Sequence, residues 1–199
     1  MHLEILLEEA SMESVVQSLL SRLVSIDQEH TWTTHPHYGK QDLLKKLQKT
    51  LNAYARWIPE DYRIVIILDQ DRDDCIALKE DILSLCRRAG LDDRRVLVRI
   101  VVVMLEAWFL GDIEALEKAF PKLERLKLKN KAIYRDPERR PDPADDLSRE
   151  LEKVSYKEGY LKGVHPLEVA PHLKLEPQYN RARSFYITLE GLKVILGLQ

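Results

Sequence analysis

The fold of this chain is decided by residues 62–75, which read YRIVIILDQDRDDC. The stretch contains an unbroken apolar run from Ile64 to Leu68 in which β-branched residues predominate. Such a run is typical of a strand that is buried on both faces, as in a parallel sheet. The run ends in acid, because four of the next six residues are aspartates. We therefore predict an α/β fold in which this strand delivers a cluster of carboxylates to one edge of a mostly parallel sheet.

The acidic turn after this strand needs something to offset its charge. Neighbouring carboxylates repel one another unless a cation or several N–H donors compensate them. In an extended chain alternate side chains point to the same side, so Asp69 and Asp71 are expected to converge. Ligands of open α/β sheets bind beyond the carboxyl ends of the strands, and hard cations prefer oxygen ligands. The sequence thus predicts a Mg²⁺ or Mn²⁺ site formed by Asp69 and Asp71, with Asp73 as a further ligand.

Two other predicted strands also lead into acidic residues. The apolar segment 2–7 precedes Glu8, and the β-branched segment 96–103 runs towards Glu106. Glu106 lies among apolar residues, where an unpaired carboxylate is costly, so we expect a metal ion, an arginine or a backbone N–H beside it. Because Glu106 follows a strand, we favour the metal. Glu8 is either a metal ligand or proton shuttle, or an ordinary acid that the start of a helix favours.

Length and charge indicate one compact domain that acts in the cytoplasm. The 199 residues fit an α/β core over 1–119 and a basic loop and helical extension over 120–199 that pack on this core. With 31 Lys and Arg against 33 Asp and Glu, only the distribution of charge can indicate a nucleic-acid partner. Acidic strand ends and a basic stretch at 122–140 suit an enzyme that acts on phosphodiesters, although ordinary charged surface helices produce the same pattern. No signal peptide opens the chain and no apolar run reaches about 18 residues, so we expect no membrane segment.

Helical periodicity places amphipathic helices between and after these strands. The periodic segments are 12–23, 43–54, 78–86, 147–154, 166–173 and 185–196. Residues 25–39 lack this periodicity and predict a short extended piece followed by a loop. From 120 to 150, prolines among many charges predict an irregular, basic and exposed segment.

Four segments of the chain resemble a bacterial family of unassigned function with a Toprim-like domain, akin to RloB-like proteins and to nucleases of the overcoming-lysogenization-defect type. The segments are Leu6–Ser11, Leu68–Cys75, Leu105–Asp112 and Asn180–Phe185. The resemblance implies a Toprim-like sheet that carries a Glu after one strand and an Asp-x-Asp after a later strand. It also implies a nucleic-acid substrate and an ATPase partner in a phage-defence module.

The leading hypothesis is a Mg²⁺-dependent nuclease. Asp69 and Asp71 would hold the metal, Glu106 would complete the site, and Glu8 would ligate metal or act as general acid/base. Weaker candidates for contacts with the phosphate backbone are Lys40, Lys131, Arg181 and Arg183. Two alternatives stay open: a non-catalytic partner or sensor subunit of such a module, and a phosphatase of the haloacid-dehalogenase type, whose opening motif is also a strand followed by Asp-x-Asp.

Overall fold

The apolar run is a central strand of a parallel sheet in the computed structural model, which describes residues 1–24 and 29–198. Over these residues the sheet has four strands in the order β2-β1-β3-β4. The strands are β1 (His2–Leu7), β2 (Thr31–Pro36), β3 (Tyr62–Asp69) and β4 (Val96–Val101). All neighbouring strands run parallel. The predicted α/β fold with a mostly parallel sheet is therefore confirmed.

The register of the sheet aligns the carboxyl ends of its strands. Leu7 at the end of β1 pairs with Ile67 of β3, and Asp69 at the end of β3 pairs with Val101 of β4. Glu8, the residue after β1, therefore lies beside the carboxyl end of β3. This alignment follows from parallel pairing, which places the carboxyl ends of all strands at the same edge of the sheet.

Helices cover both faces of the sheet. Their bounds are α1 (Ala10–Leu23), α2 (Lys40–Trp57), α3 (Cys75–Arg88), α4 (Glu106–Gly111), α5 (Ile113–Ala119), α6 (Pro143–Lys153), α7 (His165–Val169) and α8 (Arg183–Leu196). Alternate residues of β1 point to opposite sides, so Leu3, Ile5 and Leu7 join one core and Leu6 joins another. The first core contains α1 and the C-terminal helices, and the second contains α2 and α3. Among the described helices, none is both long and apolar enough to cross a membrane.

The segment from Phe120 to α6 is irregular but not simply exposed. It consists of short 3-10 turns, among them Pro121–Leu126 and Ala132–Tyr134. Leu123, Leu128 and Tyr134 are buried in the larger core, so the expectation of an exposed segment is wrong for these side chains. The irregularity has a physical reason, since closely spaced prolines prevent a long helix here.

The predicted extended piece at 25–39 lies partly outside the described residues. Residues 25–28 belong to the part that is not described, and the described remainder contains β2. β2 pairs with β1 from His2 to Leu7, which makes it an edge strand of the sheet.

Two side-chain hydrogen bonds attach α4 to residues 180–184, where the chain enters α8, and a third stabilises that segment. The Asn180 Nδ2 donates to the Trp108 carbonyl at 2.9 Å, and the Trp108 Nε1 donates to Ser184 Oγ at 2.8 Å. The Ala182 N–H donates to Asn180 Oδ1 at 2.9 Å. Gly111 makes the close approach possible, because a Cβ there would collide with the Asn180 side chain and lie 2.9 Å from the Ala182 nitrogen. This packing fixes the position of α4 against the C-terminal helix.

We expect Gly111→Ala to lower the free energy of unfolding by about 1–3 kcal/mol, since the added methyl group overpacks a rigid contact that includes backbone. The matched control is Gly163→Ala, because Gly163 has open space around its Cα and no left-handed backbone conformation. Denaturant unfolding of both variants measures the difference. Equal stability of the two variants would contradict the proposed role of Gly111.

Candidate functional site

Asp69 is the centre of the acidic site. It ends β3, is 2 % exposed, and its Oδ1 has no hydrogen-bond partner among the described residues. Burial raises the pKa of Asp69 well above its ordinary value, and the charges of Glu8 and Glu106 raise it further. Lys162 opposes this rise in the pKa. Asp69 is thus a buried carboxyl group that two neighbouring acids push towards its protonated form.

Glu8 is attached to the same edge by a backbone hydrogen bond. The Asp69 N–H donates to Glu8 Oε2 at 2.8 Å, and the Glu8 N–H donates to the Ile67 carbonyl at 3.2 Å. Burial raises the pKa of Glu8, although the bond from the Asp69 N–H works against this rise and Asp71 adds to it. The bond holds one carboxylate oxygen of Glu8 at the end of β3.

Glu106 begins α4 and is the most deeply buried acid of the site. Its side chain is 0 % exposed, and neither Oε atom has a hydrogen-bond partner among the described residues. Burial raises its pKa, and Lys162 and the nearby Tyr160 hydroxyl oppose the rise. The Tyr160 hydroxyl lowers the pKa of Glu106 although the two groups do not form a hydrogen bond of normal geometry. This hydroxyl is itself buried without a hydrogen-bond partner among the described residues. Glu8 and Glu106 are thus electrostatic neighbours of Asp69 at this edge of the sheet, and their joint role as metal ligands stays a prediction.

Asp71 is placed differently from the expectation. β3 ends at Asp69, and Asp71 adopts a left-handed conformation with φ 52°, so strand alternation does not carry its side chain to the side of Asp69. Instead Asp71 Oδ2 lies 2.7 Å from the Lys40 Nζ, and Asp73 Oδ2 lies 2.8 Å from the same atom. Lys40 also donates to the Gln70 carbonyl at 2.8 Å. Lys40 therefore neutralises the exposed part of the acidic turn, which is a different role from the predicted contact with phosphate.

Backbone hydrogen bonds lock the turn after β3 to the turn after β4. The Gln70 N–H donates to the Val101 carbonyl at 2.7 Å, and the Asp71 N–H donates to the Val103 carbonyl at 2.8 Å. The Gln70 side chain completes the connection by accepting from the Val103 N–H at 3.3 Å. Val103 has φ 63°, a strained conformation for a β-branched residue. Strain of this kind persists only where surrounding structure imposes it, and it is concentrated at functional sites.

Two of the other three basic residues predicted to contact phosphate, Lys131 and Arg181, have structural partners in the fold. Lys131 Nζ lies 2.7 Å from Oε2 of the buried Glu150, whose Oε1 accepts from the Tyr134 hydroxyl at 2.8 Å. Arg181 donates to the Tyr134 carbonyl at 3.1 Å. Arg183 is exposed at the start of α8. Lys131 and Arg181 thus join the C-terminal segments to one another, and their roles as phosphate contacts stay predictions.

The donor atoms at this edge suit a hard cation. Asp69 and Glu106 together offer three buried carboxylate oxygens without a hydrogen-bond partner in the described chain. No three His, Cys, Asp or Glu side chains within residues 1–24 and 29–198 are arranged to hold an ion by themselves. Mg²⁺ does not need such a cage, since it is usually bound by one or two carboxylates and keeps waters or substrate phosphates as its other ligands. Asp69 and Glu106 fit that kind of site.

A cleft of about 640 Å³ lies beside the acidic site. Its lining includes Glu9 and Lys162, which form an ion pair with 2.8 Å between Glu9 Oε1 and Lys162 Nζ. Lys162 also acts electrostatically on Asp69 and Glu106, so the cleft and the buried acids are neighbours. Sequence reasoning missed Tyr160 and Lys162, because they lie in an irregular segment without periodicity or motif. Only the tertiary fold brings them to the acidic residues.

A family model described as Domain of unknown function (DUF4276) matches residues 7–193. The chain belongs to this family. The matched range contains Glu8, Asp69 and Glu106, and the expectation of a family of unassigned function is confirmed. Searches of curated proteins and of solved structures gave no match. The relation of this family to Toprim-like and RloB-like proteins therefore stays a prediction.

We expect Asp69→Asn to stabilise the metal-free protein at pH 8. The pKa of Asp69 is raised in the folded state. The Asp69 carboxyl therefore contributes fully to folding stability below its unfolded pKa of about 3.9, and this contribution is lost as the pH rises through the folded pKa. Removal of the charge restores this contribution, which should raise the melting temperature in EDTA by at least about 2 °C, the shift that corresponds to 1 kcal/mol in a domain of this size.

The control for this measurement is Asp81→Asn, which removes an exposed carboxylate of α3. The difference in melting temperature between Asp69→Asn and the wild type should shrink as the pH falls towards 4. At pH 8, Mg²⁺ should raise the melting temperature of the wild type more than that of the variant. A lower melting temperature for Asp69→Asn than for the wild type at pH 8 in EDTA would show that the buried charge does not destabilise the folded protein.

Proposed function

We propose that this protein is a Mg²⁺-dependent nuclease with a Toprim-like arrangement of acidic strand ends. The observation that carries the proposal is the pair of buried carboxylates, Asp69 and Glu106, whose oxygens lack partners among the described residues. A charge buried without a partner is costly, so such a pair is either protonated or compensated by a bound cation. Its place beyond the carboxyl ends of parallel strands is the usual ligand position of open α/β sheets.

Each acidic residue has a distinct role in this proposal. Asp69 and Glu106 would hold the metal ion. Glu8 acts as general acid/base, because its raised pKa brings proton exchange closer to neutral pH and the bond from the Asp69 N–H orients its carboxylate. Mg²⁺ bound there would acidify the attacking water and neutralise charge on the phosphate. Lys162 places a cation beside the same acids, where it can offset negative charge on the scissile phosphate.

Asp71 and Asp73 have a supporting role in this account. Their ion pairs with Lys40 tie the start of α2 to the acidic turn, and they leave Asp69 as the aspartate of the turn that faces Glu106. Asp71 still acts electrostatically on Glu8, whose pKa it raises. Asp71 as a direct metal ligand stays a prediction, as do the ATPase partner and the role in phage defence that the resemblance implies.

The decisive experiment measures cleavage by the purified full chain. Plasmid DNA, single-stranded DNA and single-stranded RNA are incubated in Mg²⁺ or Mn²⁺ with the wild type, Asp69→Asn, Glu106→Gln and the control Asp81→Asn. We expect the wild type and the control to cleave, and each site variant to lose at least about a hundredfold in rate, the usual contribution of a catalytic group. Thermal unfolding shows that each variant is folded.

The outcomes separate the alternatives. Cleavage that Asp69→Asn leaves unchanged would falsify the nuclease proposal. Inactivity of the wild type that is relieved only by an added ATPase partner would favour a subunit of a larger module. Release of phosphate from a phosphomonoester that survives Glu106→Gln would favour the haloacid-dehalogenase type of phosphatase.

A further inference from the structure

The cleft beside the acidic site has an exposed aromatic side chain on its rim. Tyr38 lines this cleft and is 95 % exposed, the highest value among the exposed large hydrophobic side chains of the described chain. A ring that is left almost wholly in water contributes nothing to the core. Exposed aromatic rings on a fixed backbone commonly serve as stacking platforms for nucleic-acid bases.

The backbone around Tyr38 is fixed to the strand that carries Glu8. The His37 N–H donates to the Leu7 carbonyl at 3.0 Å, and the Gly39 N–H donates to the Glu8 carbonyl at 2.9 Å. The Tyr38 N–H itself donates to Asp42 Oδ2 at 3.2 Å. The ring is almost wholly in water, with the Lys46 Nζ 5.9 Å from its centroid. Its main chain, in contrast, is held next to the acidic edge of the sheet. This arrangement gives Tyr38 a defined position relative to Glu8.

Lys162 supplies positive charge in the same cleft. It is exposed, and its ion pair with Glu9 uses one of the three donors of its ammonium group. Lys162 also lowers the pKa of both Asp69 and Glu106, so we expect a phosphate bound at Lys162 on the side of the cleft that adjoins the buried acids. The starts of α1 and α2 also border the cleft through Ala10 and Gly39, which adds N–H dipoles of the sign that favours an anion.

We propose that this cleft binds single-stranded nucleic acid, with one base stacked on Tyr38 and an adjacent phosphate at Lys162. The inference rests on the proposed nuclease function and names its substrate class. A paired base inside a duplex has no free face for Tyr38, whereas a base in a single strand has one.

The test measures binding separately from cleavage. A short fluorescein-labelled oligothymidylate and a hairpin duplex of matched length are titrated with the full chain in EDTA, and fluorescence anisotropy is followed over a range of salt concentrations. The variants are Tyr38→Ala, Tyr38→Phe and Lys162→Met. The controls are Tyr186→Ala on α8 and Lys49→Met on the exposed side of α2, neither of which lines the cleft.

We expect the wild type to bind the single strand more tightly than the duplex. Tyr38→Ala should weaken single-strand binding by at least about fivefold with an unchanged salt dependence, and Tyr38→Phe should bind as the wild type does, because stacking needs only the ring. Lys162→Met should reduce the slope of log K against log salt by about 0.7, the loss of one phosphate contact to a single strand. The two controls should change neither quantity.

Three results would overturn the inference: no binding of the single strand by the wild type, equal binding by Tyr38→Ala and Tyr38→Phe, or tighter binding of the duplex. Metal-dependent cleavage together with any of these results would leave the nuclease proposal intact and reject only this substrate class. Tyr38-dependent binding without cleavage in Mg²⁺ or Mn²⁺ would instead reject the nuclease proposal and retain a single-strand binding cleft.

Discussion

Desolvation of two neighbouring carboxyl groups is the constraint on which the rest of this structure depends. Asp69 and Glu106 are withdrawn from water, and their free oxygens find no hydrogen bond among the described residues. A stable core would normally avoid this arrangement, because hydrophobic residues of similar size would fill the same space at lower cost. Groups whose pKa values are strongly perturbed in this way are concentrated at functional sites. The burial that makes the site costly also strengthens its interaction with a cation.

The surrounding elements hold these carboxyl groups in place. The turn after β3 and the turn after β4 are connected through Gln70, and the connection imposes a left-handed conformation on Val103. On the other side, α4 is fixed by the hydrogen bonds of Trp108 with Asn180 and Ser184. Glu106 thus begins a helix whose position is fixed through Trp108. The Asn180–Ser184 stretch, expected to provide arginines for phosphate, supplies the side chains for this packing as well.

The strands and their acidic ends could be predicted because their signals are local. The apolar run before Asp69 and the alternation along β1 depend on neighbouring residues, and parallel pairing then brings Glu8 and Glu106 to the same edge. Asp71 could not be placed from the sequence, since its direction depends on a left-handed turn that tertiary hydrogen bonds impose. The partner of the acidic turn was equally hidden, because Lys40 reaches it from a distant helix. Lys162 and Tyr160 carry no local signal at all.

The central claim is that Asp69 and Glu106 bind one metal ion together. Crystals of the full chain grown with Mn²⁺, with data collected at the manganese absorption edge, test it most directly. The account predicts an anomalous peak at about 2.1 Å from carboxylate oxygens of both residues, the distance that Mg²⁺ and similar ions keep from oxygen ligands. Manganese bound only elsewhere, or a crystal in which these two carboxyl groups share a proton and exclude the ion, would contradict it.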